Sequence, residues 1–299
     1  DLAERLPAIS DSSTVRTAFA FIVTGICLKL ALFPLHLWLP NAYTYSPSAV
    51  TAFLGATATK VAVYVLIRFV FTIFGVEFSF GAEPLAEILV PLAIIGLLSA
   101  STVSIMQPNI KRMLAYSSVA QIGYIVLGLA MGTAMGLTAS LLHVFNHGLM
   151  KGALFMVMGA VAYRMGGTSI DDMRGLAKTM PLTFWAFVLG GLSLIGVPLT
   201  VGFVSKWHLI LAALELGWWP VVVAILAGSM LAVVYVGRVV EAGFFGEPKD
   251  ATKREAPWGL LVPLWVLVIA NIWFGIDTRL TVDIAEAAAA QLMAGGVVR

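Results

Sequence analysis

Leu142-His143-Val144-Phe145-Asn146-His147-Gly148-Leu149-Met150-Lys151 lies in the middle of a run from about Ala134 to Tyr163 that is otherwise apolar. A run of that length is long enough for a helix to cross a bilayer, which takes about 20 apolar residues. At roughly 100° per residue, His143, His147 and Lys151 fall on one helical face, with Asn146 beside them. Such groups are costly at membrane depth: a central lysine costs roughly 2.5–3.5 kcal/mol on insertion scales. A spanning helix with one titratable stripe reads as an ion pathway. Its structural alternative is a buried hydrogen-bond network that only holds helices together.

The rest of the chain shares this apolar character. Of its 299 residues, 60% are hydrophobic and 11% charged, and the mean hydropathy is +0.96. Soluble domains carry about 25% charged residues, so most of this surface cannot face water. The apolar runs are continuous and lack the ten-residue alternation of barrel strands, which makes the protein all-α and polytopic. The net charge of +2 and the absence of a basic cluster give no sign of a nucleic-acid partner. The single cysteine, Cys27, rules out an intrachain disulfide and a cysteine-ligated iron–sulfur cluster within this chain. The chain begins with Asp1, and no signal peptide precedes its first apolar run, so it reads as a C-terminal piece or a processed chain.

Eight spans are expected in order. Residues 1–13 read as a polar loop. Thr14 to Phe33 is the first span, broken near Phe33-Pro34, with a turn-rich link from Asn41 to Ser48. Ala49 to Phe74 is the second, followed by an acidic loop from Gly75 to Glu87. Ile88 to Met106 and Leu114 to Met131 are the third and fourth, joined by a basic turn at 107–112. Ala134 to Tyr163 is the fifth. A charged loop from Arg164 to Met180 has room for a short helix around Asp171-Asp172. Leu182 to Leu216 is too long for a simple span and is interrupted at Gly196-Val197-Pro198, giving two half-helices. Val221 to Phe245 and Gly259 to Ile276 complete the set. Thr278 to Leu292 places Leu280, Ile284, Ala287, Ala288 and Leu292 on one side, as in an amphipathic helix at the membrane interface.

Lysine and arginine set the orientation. The loops at 107–112, 164–180 and 246–257 hold Lys111, Arg112, Arg164, Arg174, Lys178, Lys249, Lys253 and Arg254, whereas the opposite side holds mainly Arg5, Arg279 and Arg299. The first set is expected to be cytoplasmic, in a bacterial inner membrane, with both chain ends on the outer side.

Within the spans the ionisable set is Lys29, Lys60, His143, His147, Lys151 and Lys206, with Arg68, Arg238 and Glu241 closer to helix ends. Desolvation disfavours the charged form of a buried amine, which lets it surrender a proton. The bland readings are snorkelling for lysines near helix ends and an ordinary hydrogen-bonded core histidine for His208. Irregular backbone at membrane depth is tolerated where it is buried or lines a wet cavity. Pro34 beside Lys29 and Pro198 toward Lys206 make two breaks with neighbouring lysines, the pattern of an ion path. Histidines at i and i+4 can share a metal, but no acidic third ligand lies nearby and Lys151 repels a cation, so no metal site is expected. No phosphate-binding glycine loop, Ser/His/Asp set or carboxylate pair is present, so neither covalent catalysis nor a cofactor is expected in this chain.

Lys29 to Ala42, KLALFPLHLWLPNA, resembles the K…P-x-H-x-W-L-P-x-A signature of the antiporter-like subunits shared by respiratory complex I and Mrp-type cation/proton antiporters. The resemblance continues through Ser46-Pro47-Ser48-Ala49-Val50, the Lys60 helix, Asn109 to Ser118, His143 to Lys151, Gly196-Val197-Pro198 and Gly202 to Lys206. It implies a fold of about fourteen spans with two five-helix inverted repeats, each with a broken helix. This chain would supply the last eight: residues 1–74 ending the first repeat, 85–246 forming the second, and 258–299 the last helix and amphipathic terminus. It also implies that Lys29 belongs to the first broken helix, Lys60 to the connecting helix, His143, His147 and Lys151 to the central relay, and Lys206 to the second broken helix. The family's glutamate on an earlier helix has no counterpart here. One complex I subunit type carries glutamate in place of Lys206 and another has a long lateral helix, which leaves the D-type component of Mrp antiporters as the nearest pattern. A third complex I type and a hydrogenase-linked relative stay open. The expectation is thus a proton-translocating subunit of a multisubunit Na⁺/H⁺ antiporter, working with other membrane subunits and the lipid bilayer. The alternatives are the same relay driven by redox chemistry, or a membrane scaffold.

Overall fold

The computed structural model describes residues 2–9, 12–250, 252 and 254–295. Asp1, Lys253 and Arg299, which enter the terminal and charge readings above, lie outside the described residues. The long helices are α1 (Ser13–Leu30), α3 (Ser48–Ile67, prolonged by a π-helical turn, Arg68–Ile73), α4 (Leu85–Met106), α5 (Ile110–Ala130) and α6 (Ala134–Met165). After them come α7 (Pro181–Ile195), α8 (Val201–Glu215), α9 (Trp219–Phe245), α10 (Trp258–Ile276) and α11 (Arg279–Met293). A shorter helix, α2 (Trp38–Tyr45), follows α1. Among the described residues, seven helices are individually long and apolar enough to cross a membrane. The half-helices α7 and α8, of 15 residues each, stand where the eighth span was expected.

The periphery is as apolar as the core, unlike that of a soluble domain, and the core encloses a polar cluster. Phe21, Phe53, Tyr64, Met230 and Trp273 are exposed on the periphery, while His143, His147, Lys151, Ser117 and Gln121 are buried. This is the arrangement hydrocarbon favours: apolar side chains face lipid, and polar groups find partners inside. Helix α5 is buried almost throughout its length, and α6 over most of it. Helix α6 packs against α3, α5, α7, α8, α10 and α11, so the stripe of His143, His147 and Lys151 sits at the hub of the bundle.

Local chemistry corrects several boundaries. Asn109 caps α5, its Oδ1 accepting from Arg112 N at 3.1 Å, so the helix starts at Ile110 and takes Lys111 and Arg112 into its first turn. Lys111 is therefore not a solvated loop charge. It is buried, and its Nζ donates to the Ser46 carbonyl at 2.7 Å, where α2 ends. The expected link from 41 to 48 is largely α2. Pro40 falls in its first turn, where a missing N–H costs little. The expected acidic loop at 75–87 carries a π-helical turn, Glu77–Ala82, because Phe78 packs on Phe19 and Phe74 at 5.3–5.4 Å. On α11 the buried side is Ala285, Ala289 and Leu292, while Leu280, Ile284 and Ala287 point outward.

Both breaks are present. Helix α1 ends at Leu30, earlier than Pro34, and Ala31 turns left-handed at φ 64°. Trp38 Nε1 then donates to the Leu28 carbonyl at 2.9 Å, a second donor to an oxygen that already accepts from Ala31 N at 3.1 Å, and so ties the turn back onto the helix end. Helix α7 ends at Ile195, with Gly196 at φ 92° and Leu199 at φ 71°, and Pro198 lies between them. Gly202 lets the two half-helices cross closely: a Cβ there would lie 1.8 Å from the Ser193 carbonyl oxygen.

Candidate functional site

Five of the six ionisable residues singled out in the sequence converge around α6. Lys151 Nζ, fully buried, donates to the Leu114 carbonyl at 2.9 Å and to the Ser117 hydroxyl, both on α5. His143 bridges α5 and α8, with Nε2 2.9 Å from Gln121 Oε1 and Nδ1 2.7 Å from Ser205 Oγ. With Gln121 Oε1 as acceptor, Nε2 carries the proton and Nδ1 accepts from the Ser205 hydroxyl. The His147 ring lies 6.3 Å from that of His143 and nearly parallel to it, and neither of its nitrogens has a protein partner among the described residues. Asn146 is fastened separately, Nδ2 donating to the Val201 carbonyl at 2.7 Å, where α8 begins.

Lys206 reaches back from α8 across the second break. Its Nζ donates to the Leu194 and Ile195 carbonyls at 3.1 and 2.8 Å and to Ser229 Oγ at 3.0 Å. The two carbonyls are the last of α7, the negative end of its dipole. Lys60, half-buried on α3, donates to the Gly55 carbonyl of its own helix at 2.5 Å. It lies within electrostatic reach of His143, His147 and Lys151, and Lys206 within reach of His143. Lys29 stands apart. It is exposed on α1 beside Phe21, Ile22, Val61 and Val65, and among the described residues it makes no hydrogen bond or ion pair. His208 bonds its own helix through Val204 O at 2.8 Å, as an ordinary core histidine does.

The ion pairs among the described residues all lie outside this cluster, such as Arg16–Glu83 at 3.2 Å and Lys249–Asp172 at 2.9 Å. Every basic group of the cluster that has a partner has a neutral one: a backbone carbonyl, a hydroxyl or an amide. The sequence assigned no site role to Ser117, Gln121 or Tyr124, although Ser117 lies in the Asn109–Ser118 stretch of the resemblance. They recur at i, i+4 and i+7, the spacing of one face of α5, and that was their available signal. Ser205 sits inside the Gly202–Lys206 stretch of the resemblance, whereas Ser229 lies singly on α9 and gave no signal.

Two polar knots fix the helix ends near the positive loops. Glu255 caps α7 from outside, Oε2 accepting from Leu182 N at 2.7 Å and Oε1 from Thr183 Oγ1 at 2.5 Å. Arg164 Nε, from the end of α6, donates to the Glu255 carbonyl at 2.9 Å. Asp172 accepts from Ser169 N, Ser169 Oγ and Lys249 Nζ at 2.8, 2.6 and 2.9 Å. Partial burial works to raise its carboxyl, but the Ser169 and Lys249 bonds outweigh it and hold the group below its usual range.

An all-α polytopic membrane protein, with two helix breaks and a buried file of basic residues between them, is the class that fold and site define. The chain belongs to the NADH:quinone oxidoreductase/Mrp antiporter transmembrane family, whose model matches residues 1–232. It is 44% identical over 290 residues to the N subunit of the NADH-quinone oxidoreductase of Desulforudis audaxviator, covering 92% of this chain and 58% of that one. It is 32% identical over 279 residues to the D subunit of the Na(+)/H(+) antiporter of Alkalihalophilus pseudofirmus, covering 92% and 55%. A chain in the structure of the Mrp complex from Dietzia sp. DQ12-45-1b superposes with a TM-score of 0.89 at 28% identity, covering 96% of this chain and 61% of that one. The chain thus spans less than two-thirds of the length of each of these relatives.

Proposed function

We propose that the chain is a proton-conducting membrane subunit of a redox-driven complex of the NADH-quinone oxidoreductase kind. The observation that carries this is the file of Lys60, Lys151, His147, His143 and Lys206 across α3, α6 and α8, buried or half-buried with neutral partners only. Protons pass along it from lysine to histidine to lysine, with water completing the steps at His147. Lys29 joins from the α1 side, at the first break. The redox reading is weighted over antiport by the 44% identity to an oxidoreductase N subunit, against 32% to an antiporter D subunit. That reverses the order expected from the sequence motifs.

The second reading is sodium/proton antiport by the same file, and the TM-score of 0.89 to a chain of an Mrp complex favours it. In either case the chain works among other membrane subunits, in a bacterial inner membrane. The positive loops with Arg164, Arg174, Lys178 and Lys249 face the cytoplasm and both ends face out. Residues 1–74 and 85–246 belong to two inverted repeats, and 258–299 follow them.

Everted vesicles holding the full-length protein in its complex test both readings. NADH-dependent acidification, lost in Lys60→Ala and Lys206→Ala at normal assembly, supports the first. Dissipation of an imposed pH gradient by Na⁺ without reductant supports the second. Normal proton movement in both alanine variants sinks the relay itself and leaves a scaffold.

A further inference from the structure

Tyr124 lies between two stations of the file, His143 and Lys206. Lys206 Nζ sits 4.6 Å from the centroid of the Tyr124 ring. The His143 imidazole lies 5.5 Å from the same ring, inclined at 60°. Tyr124 is 1% exposed, and its hydroxyl donates to the Ile225 carbonyl of α9 at 3.2 Å. Gly228, on the same helix, leaves room for that hydroxyl: a Cβ there would lie 2.5 Å from it. The ring is therefore keyed into α9 by its hydroxyl and presents a face to Lys206.

The surroundings of Lys206 make that face matter. From α7 only the Leu194 and Ile195 carbonyls reach it, and from α9 Ser229. The titratable groups around it are Tyr124 on α5, His143 on α6 and, behind Tyr124, Tyr235 on α9. Asn271 on α10 is uncharged and bonds Ser193 at 3.1 Å. On α8 itself, His208 is turned to Val204 O. No carboxylate among the described residues faces the amine. An aromatic ring attracts a cation through its quadrupole and does nothing comparable for a neutral amine. The ring thus takes the place a carboxylate would otherwise fill, but holds the charge more weakly.

We propose that the Tyr124 ring is a positioning residue that favours the charged form of Lys206, and so sets the pH range over which Lys206 exchanges its proton. This rests on the relay reading of Lys206 given above. A carboxylate would pin the ammonium and a bare apolar wall would expel the charge; a ring permits both capture and release.

The test is the pH profile of proton transport in everted vesicles holding the full-length protein in its complex. Tyr124→Phe keeps the ring and is expected to keep the profile. Phenylalanines bearing one and then three ring fluorines, placed at 124 by nonsense suppression, keep the shape and drain the ring face of electron density. With them the alkaline fall in transport is expected to move stepwise to lower pH, by about half to one and a half pH units across the series. Superimposable profiles across the series overturn the proposal, since a merely structural ring does not track fluorine count. Should the fluorinated chains fail to assemble, Tyr124→Met fills the site without a ring and must move the fall where Tyr124→Phe does not. Lys206→Ala separates the two levels. Normal transport in that variant refutes the relay role of Lys206, whereas lost transport there, with an unmoved fluorine series, refutes the Tyr124 role alone.

Discussion

Replacing His143 by leucine separates a proton relay from a network that only holds helices together. His143 holds Gln121 Oε1 at 2.9 Å and Ser205 Oγ at 2.7 Å, tying α5, α6 and α8. His143→Leu is close in volume, so its cost is mainly the two partners left behind. Ser205 has the Val201 and Gly202 carbonyls at 3.5 Å to fall back on, which limits its share to about 1 kcal/mol. Gln121 Oε1 has no second partner among the described residues and bears nearer the full penalty of an orphaned acceptor, up to about 3 kcal/mol. The single variant should lose about 2–4 kcal/mol, a fall in Tm of about 5–15 °C in detergent, and should not transport. Removing the partners as well, in Gln121→Leu/His143→Leu/Ser205→Ala, exchanges the polar set for an apolar one and should bring stability back to within about 1 kcal/mol of the parent. Thermal unfolding and proton transport in everted vesicles are then measured on the same membranes. The relay predicts a stable triple variant that does not transport. A stable triple variant that transports like the parent refutes the role given to His143, and the network is then structural.

Other consequences are local. Glu255→Ala removes the external cap of α7 and should cost about 1–2 kcal/mol, read as faster amide exchange at residues 182–184; unchanged exchange there means that the bond from Leu182 N at 2.7 Å contributes nothing. Gly202→Ala sets a Cβ 1.8 Å from the Ser193 carbonyl and should prevent assembly of the second break, whereas Gly237→Ala, with open space around it, should assemble normally; equal yields of the two count against the close crossing. Asp172 titrates below the usual carboxylate range because its Ser169 and Lys249 bonds outweigh its partial burial. Its contribution is present above the unfolded carboxylate value, about 3.9, and is lost as pH falls through its lower folded value. Protection against exchange at 168–173, taken relative to the intrinsic rate at each pH, should therefore fall only at acid pH, and this acid-dependent fall should be absent in Asp172→Asn. Lys111→Met removes the donor to the Ser46 carbonyl at 2.7 Å and should loosen the end of α2, seen as faster exchange near residue 46, with transport retained.

The crossings were legible because their signal is length and hydropathy, which survive without knowledge of packing. The breaks were legible because Pro34 and Pro198 interrupt the apolar pattern, although α1 ends at Leu30. Proline marks where a helix cannot continue, and Ala31 at φ 64° shows that the chain turns before it has to. What failed was charge in flanking turns. Lys111 and Arg112 looked like a solvated basic turn, but the Asn109 cap draws them into α5, and a carbonyl from another segment takes the lysine. On α11 spacing gave a stripe but not which side of it packs, because Ala285 and Ala289 are buried by virtue of being small. Within the site, α6 announced itself through three basic residues on one face. Its partners on α5 are neutral, and a serine, glutamine or tyrosine in a membrane helix is too common to single out.

A buried basic file without acids raises the question of how it tolerates charge, and the geometry supplies an answer. Two unit charges 6.3 Å apart, the separation of the His143 and His147 rings, repel by about 2.6 kcal/mol at an effective permittivity of ~20. A proton on one ring thus makes a proton on the other roughly a hundredfold less favourable. The same repulsion acts between each lysine and its neighbouring histidine, so charges in the file disfavour one another. The neutral partners fit this economy. Lys151 rests on the Leu114 carbonyl and Lys206 on those of Leu194 and Ile195. These acceptors satisfy an ammonium without the grip of a carboxylate and leave a neutral amine only one hydrogen bond poorer. On the proposed relay, a charge arriving at one end therefore destabilises the next and drives it onward, and repulsion within the file moves the proton without an acid at each step. Inserting an acid should stop it: Ser117→Asp, beside Lys151, would pair with that lysine and is expected to abolish transport while raising thermal stability. Transport at the parental rate in Ser117→Asp would mean that repulsion is not what moves the charge.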